Sequence, residues 1–294
     1  MKTAVSSYSF WGYIKEGKMS MLDTVSKAAE LGFDAIEFIV VTPFDRINTA
    51  TKEEKIAYAK ELRAKAEECG IEICAYTVGA NLYWGNEVED AAEVKRLCDE
   101  IDVAVALGAP IFRHDVTKST KVGDKTVSFD KMLPTLVANA RKVADYASIR
   151  GIKTSAENHG RVFQDSDRVE RFYNAMDHEN FGLLIDFGNF TCVDEDPVLA
   201  VSKLAPYAIH AHAKDFWKRK FGEEPADPNA FFPTRACNKL SGCVIGEGDV
   251  NVPQCIEILK SVNYDGYVSI EYEGSEDCIE ALKRSIKNLK EFIK

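Results

Sequence analysis

The chain has little with which to bind nucleic acid, cross a bilayer or cradle a nucleotide. Its 37 Lys and Arg are outnumbered by 47 Asp and Glu, and the net charge of -10 repels a phosphate backbone. No run approaches the roughly 20 consecutive apolar residues that a membrane helix needs. The opening MKTAVSSYSFWGYIKEGK also lacks the apolar core of a secretory signal, so a cytoplasmic protein is expected. No GxGxxG opens a helix and no GxxxxGK[ST] occurs, which removes the phosphate loops of the nucleotide-binding α/β folds. The eight cysteines, at 69, 74, 98, 192, 237, 243, 255 and 278, include no Cys-x-x-Cys pair. That argues against a zinc knuckle and a disulfide scaffold, and predicts free, mostly buried thiols.

What is present is a regular alternation. The 46% hydrophobic and 29% charged residues are ordinary for a globular protein, and 294 residues suit one domain somewhat longer than the roughly 250 of a TIM barrel. Short apolar runs predict eight strands at 3–9, 34–40, 71–78, 109–114, 152–157, 182–187, 208–213 and 267–272. Between them run segments with apolar positions three and four apart, such as Met21, Val25, Ala28, Ala29 and Leu31, which predict outer helices. Gly32, Gly70, Gly108 and Gly151 stand where a helix ends and a strand begins. Eight strand–helix units close most naturally into a (β/α)8 barrel, here spanning residues 1–294 as one domain.

One segment breaks the rhythm. Residues 216–248 contain Pro225, Pro228 and Pro233 and are too long for an ordinary connection after the seventh strand. In a barrel such a loop lies on the catalytic face, and it is a candidate lid, with Arg235 as a mobile substrate clamp.

Ionisable residues gather at the C-terminal ends of the later strands, where a barrel presents side chains to its mouth. The fifth strand ends in Glu157-Asn158-His159, the sixth in Asp186, the seventh in His210-Ala211-His212-Ala213-Lys214-Asp215, and the eighth in Glu271-Tyr272-Glu273. Converging carboxylates repel one another unless a cation offsets them. Three carboxylates and one imidazole meeting at such a mouth suit a single Mn2+, Mg2+, Co2+ or Zn2+ ion, with Mn2+ the first expectation.

Around these residues the chain resembles the sugar phosphate isomerase/epimerase family of xylose isomerase-like TIM barrels, which includes tagatose/psicose epimerases, inosose dehydratases and endonuclease IV. The likeness is sharpest in TSAENHG, LLIDFGNF, HAHAKD, GEGDVN and VSIEYEG. It implies that Glu157, Asp186, His212 and Glu271 bind one divalent metal, and that Glu157 and Glu271 also shuttle protons. It further implies a homo-oligomer, since many relatives are dimers or tetramers. Several epimerases and dehydratases of the family carry a histidine three residues after the metal-binding aspartate, where this chain has Asn189. Endonuclease IV needs more metal-binding histidines than the five present here.

The chemistry follows from such a site. A cation bridging a carbonyl and its neighbouring hydroxyl acidifies the C–H between them, and a carboxylate removes the proton. Return of the proton on the opposite face epimerises, and return to the adjacent carbon isomerises an aldose and a ketose. A leaving group one carbon further along turns the same site into a lyase or dehydratase, for example on a keto-sugar or 3-oxo-glycoside. The substrate is thus expected to be a small carbohydrate, sugar acid or cyclitol. His159, Lys214, Asn189, Glu37 and His114 are candidate substrate contacts, with Arg113 beside His114. Trp11, Trp84 and Phe187 are candidate apolar faces for a sugar ring. His210, two residues deeper than His212, is expected to be a hydrogen-bonded core histidine.

Overall fold

The computed structural model describes all 294 residues. Eight parallel strands form a closed barrel: β1 (Lys2–Ser6), β2 (Ala35–Phe38), β3 (Glu72–Val78), β4 (Ile111–His114), β5 (Lys153–Glu157), β6 (Phe181–Asp186), β7 (Ala208–Ala213) and β8 (Tyr267–Ile270). Their order around the barrel is their order in the chain, with β8 paired to β1. The predicted strands match within about three residues at each end. The largest difference is at the first, where Ser7–Phe10 turns into a 3-10 helix at the mouth end of the barrel.

The outer layer comprises α1 (Met21–Glu30), α2 (Lys52–Cys69), α3 (Glu87–Leu107), α4 (Phe129–Ser148), α5 (Ser166–Met176), α6 (Pro197–Leu204), α7 (Val252–Ser261) and α8 (Cys278–Ile293). Local chemistry marks their ends. Ser20 with Asp23 and Thr51 with Glu54 form capping boxes at the starts of α1 and α2. The four predicted joint glycines all have positive φ.

Two kinds of interior result. The main core, 67 buried residues, lies between the strands and the helices. The barrel's own axis is lined differently: Ala4, Ala35 and Cys74 form a separate small cluster near its floor, and ionisable groups occupy the levels above. Large side chains therefore insulate the wall, and small ones leave room for charge inside it.

Residues 216–248 are not irregular throughout. Asp215–Arg219 and Lys239–Cys243 pair antiparallel, and Phe232–Pro233 adds a third short strand. Asp215 pins this unit to the end of β7, its carboxylate accepting the backbone N–H groups of Phe216, Gly246, Gly248 and Val250 at 2.9–3.2 Å. The HAKD and GEGD motifs are thus two halves of one turn-locking device. A second small hairpin, Lys121–Val122 with Lys125–Thr126, interrupts the β4–α4 connection.

Candidate metal centre and active site

Glu157 ends β5, Asp186 ends β6, His212 lies in β7 and Glu271 follows β8, so four neighbouring strands each send one donor to the mouth. His212 Nδ1 stands 3.6 Å from Asp186 Oδ2, and 3.8 Å from both Glu157 Oε1 and Glu271 Oε2. One donor atom from each of the four lies within 4.8 Å of the others.

Neighbouring residues fix each donor. Asn158 extends the sheet by one rung beyond β5: its Oδ1 accepts Asp186 N–H at 2.8 Å and its Nδ2 donates to Asp186 C=O at 2.9 Å. Asn189 N–H occupies Asp186 Oδ1 at 2.9 Å, leaving Oδ2 turned inward. Glu157 is held by Asn189 Nδ2 at 2.8 Å and by the Arg113 guanidinium at 2.6 Å.

These spacings suit a cation. Donors about 2.0–2.2 Å from one ion stand roughly 3–4.3 Å from one another, longer than hydrogen bonds. His212 Nδ1 is buried and has no hydrogen-bond partner, and the inward Asp186 Oδ2 is met by a lysine ion pair alone, which leaves both atoms open to an ion. The cluster can therefore chelate one divalent metal.

Charge is balanced by residues placed just above it. Lys214 Nζ lies 2.5 Å from Glu271 Oε2 and 3.2 Å from Asp186 Oδ2, and donates to Asn189 Oδ1 at 3.2 Å. Burial opposes its charge, but Asp186 and Glu271 outweigh that and hold its pKa well above the usual lysine value. Burial likewise raises Asp186, yet Lys214 and His212 keep it below the ordinary carboxylate range. For Glu157 burial wins over Arg113, and its pKa is raised.

Two cavities meet at Glu273. One, about 330 Å³, is lined by His159, Arg161, Gln164, Asn189, Lys214 and also Phe232 of the long loop. The other, about 450 Å³, is lined by Tyr8, Trp11, Tyr13 and Tyr272 among others. His159, Lys214 and Asn189 therefore face one space beside the metal centre. Asp115 accepts from both Arg113, at 2.6 Å, and His159, at 2.9 Å, and so ties β4 to the β5 turn.

Three expected substrate contacts stand elsewhere. His114 is fully buried on the outer face of β4, beside Phe112, with Nδ1 2.8 Å from Asp115 C=O. Alternation gives the inward position to Arg113, which reaches Glu157 instead. Glu37 is buried under His212 and pairs with His210 and His212, out of reach of the mouth. Arg235 is not a free clamp: it makes a two-pronged ion pair with Asp165 at the start of α5. Phe187 is wholly buried in the core and offers a sugar no face, whereas Trp11 lines the larger cavity and Trp84 is partly exposed. Tyr8, Gln164 and Glu273 were not singled out from the sequence as binding groups. The signal for Glu273 was available, since it shares strand parity with Glu271.

The sequence profile of the xylose isomerase-like TIM barrel family matches residues 25–292. The chain belongs to this family. Among similar family proteins is an inosose dehydratase of Clostridium perfringens, 27% identical over 154 residues, 52% of this chain. That match spans about half the length of the dehydratase, 51%. This xylose isomerase-like barrel also superposes on D-psicose 3-epimerase with D-tagatose from Clostridium cellulolyticum H10, with a TM-score of 0.72, 17% identity and full coverage of both chains. The IOLI protein with a bound zinc atom gives a TM-score of 0.74 at 14% identity, covering 100% of this chain and 98% of the other. Both superpositions speak to the shared barrel fold. No helix of the chain is long and apolar enough to cross a membrane.

Proposed function

We propose that this barrel, residues 1–294 acting as one domain, is a divalent-metal-dependent isomerase or epimerase of a sugar, sugar acid or cyclitol. It works by proton abstraction beside a carbonyl. The observation that carries this reading is the set of four inward donors on consecutive strands, with carboxylates at both ends of the arc. Glu157, Asp186, His212 and Glu271 would hold the ion, with Mn2+ preferred for a site of three oxygens and one nitrogen. When bound, the cation supplies Lewis-acid polarisation of the substrate's carbonyl oxygen.

Glu157, at the β5 end of the arc, takes the proton from carbon on one side. Glu271 serves the other side: its contacts with Lys214 and His212 use Oε2, which leaves Oε1 for the proton. Lys214, Asn189 and His159 face the 330 Å³ cavity and bind substrate hydroxyls there. That volume is at the small end of ligand sites and suits a monosaccharide or cyclitol.

A second reading, a lyase or dehydratase on a keto-sugar or 3-oxo-glycoside, draws support from the similarity to inosose dehydratases. Removal of the same proton would then expel a hydroxyl or an aglycone from the next carbon.

Incubation of Mn2+-loaded protein with a panel of sugars, sugar acids and keto-cyclitols in D2O tests both, read by mass spectrometry and NMR. An isomerase or epimerase inserts deuterium with the carbon skeleton and formula otherwise unchanged, and a lyase releases water or an aglycone. Glu157→Gln and Glu271→Gln are each expected to cut turnover by about 100-fold or more. If both variants kept wild-type exchange, the assignment of the two glutamates would fall.

A further inference from the structure

Below the metal centre, on the side away from the mouth, lies a second buried cluster that proton transfer to the substrate does not use. Glu37 Oε2 is 2.7 Å from His210 Nε2, and Glu37 Oε1 makes a bent 2.8 Å contact with His212 Nε2. Ser269 Oγ donates to Oε2 at 3.1 Å. The carboxylate and both imidazoles are almost wholly buried. The two rings stand 5.6 Å apart and nearly perpendicular, so each addresses a different oxygen of the one carboxylate.

We propose that Glu37 is a positioning residue that sets the metal-binding tautomer of His212, and that His210 locks the carboxylate in place by engaging its second oxygen. The inference rests on the metal centre described above. A neutral imidazole carries one N–H, and a carboxylate can only accept. Facing Glu37, His212 carries its proton on Nε2. Its Nδ1 lone pair is then directed at the gap between Asp186, Glu157 and Glu271, where no other partner reaches it. His210 donates its own Nε2–H to Oε2, and its Nδ1 has no partner. His210 Nε2 and Glu37 Oε2 form a hydrogen bond, while His212 Nε2 and Glu37 Oε1 have the distance of one without its alignment, and both spacings are shorter than those of two ligands sharing an ion.

A glutamine at position 37 has the same shape but breaks this logic. Its carbonyl can accept from one ring, while its amide must donate to the other. The second ring is forced into the Nδ1–H tautomer. Where that ring is His212, an N–H points at the ion instead of a lone pair. Where it is His210, a donor is left buried without an acceptor. The two arrangements compete, and the metal-binding form loses population.

The test is metal affinity, measured by calorimetry and chelator competition with Zn2+ and Mn2+ alone. Wild type should bind one equivalent, His212→Ala should not bind, and Glu37→Gln should bind about 10- to 100-fold more weakly with an unchanged circular dichroism spectrum. If wild type binds no ion, the metal centre itself fails and takes this inference with it. If wild type binds and Glu37→Gln stays within about twofold of it, the centre stands and the positioning role is overturned. The tautomer is also read without any variant, in zinc-loaded wild type labelled with 15N-histidine. Nδ1-coordinated His212 with a slowly exchanging Nε2 proton is expected, and coordination through Nε2 would contradict the proposal even if Glu37→Gln did not fold.

Discussion

His114 shows how one side chain can make the fold sensitive to acid. Its ring is fully buried, Nε2 has no hydrogen-bond partner, and burial pushes its pKa down to about 4. In the unfolded chain the same imidazole titrates near 6.5. Above that value neither state is protonated, and the folded form is not penalised. As pH falls from about 6.5 towards 4, the unfolded chain takes up a proton that the folded chain refuses, at a cost of at most about 3 kcal/mol. Urea denaturation between those pH values should therefore show a steeper loss of stability in wild type than in His114→Gln, and equal slopes would refute the account. At this scale the sequence was informative where a residue closes a strand: Glu157, Asp186, His212 and Glu271 converge as their positions suggested. It was ambiguous where two polar residues were adjacent. Arg113 and His114 lie on opposite faces of β4, and only the packing of Phe112 and Tyr76 against the helices decides which one looks inward.

The long segment after β7 behaves as an element with its own attachments. Asp194 accepts from Thr234 Oγ1, Ala236 N–H and Asn238 Nδ2, and Asp165 pairs with Arg235. Burial works against both carboxylates, but these partners outweigh it and hold their pKa values below the usual range. A depressed folded pKa contributes stability that is present above the unfolded value and lost as pH falls through the folded one. Below about pH 4 the segment should loosen before the barrel, seen as pepsin cleavage confined to residues near 220–238, whereas even digestion of the whole chain would contradict this. Asp194→Ala should produce the same local cleavage pattern at higher pH. The small sheet in this segment was not legible because its strands are short, Pro233 sits in one, and Gly242 interrupts another. Their pairing is set by the Asp215 turn lock, an interaction across more than thirty residues.

For the whole molecule, the alternation of apolar runs and amphipathic segments was enough to reveal the barrel, because each unit repeats the same burial problem. Closure leaves the eight main strands without a free edge, and a cation held by β5, β6, β7 and the residue after β8 would join half the circumference. An ion that binds only the folded state stabilises it by about 2.7 kcal/mol at a hundredfold excess over Kd, or roughly 5 °C in Tm. Differential scanning fluorimetry should record that rise with Mn2+, Mg2+, Co2+ or Zn2+ and its reversal by chelator; no shift with any of them would argue against a resident ion. The backbone bridge between Gly242 and Gly274 runs beside Glu273, the residue common to both cavities. A methyl group on Gly242 would meet the Glu273 carbonyl carbon at 2.6 Å. Main chain lies against main chain there, so position 242 admits no side chain unless the backbone that carries Glu273 moves with it.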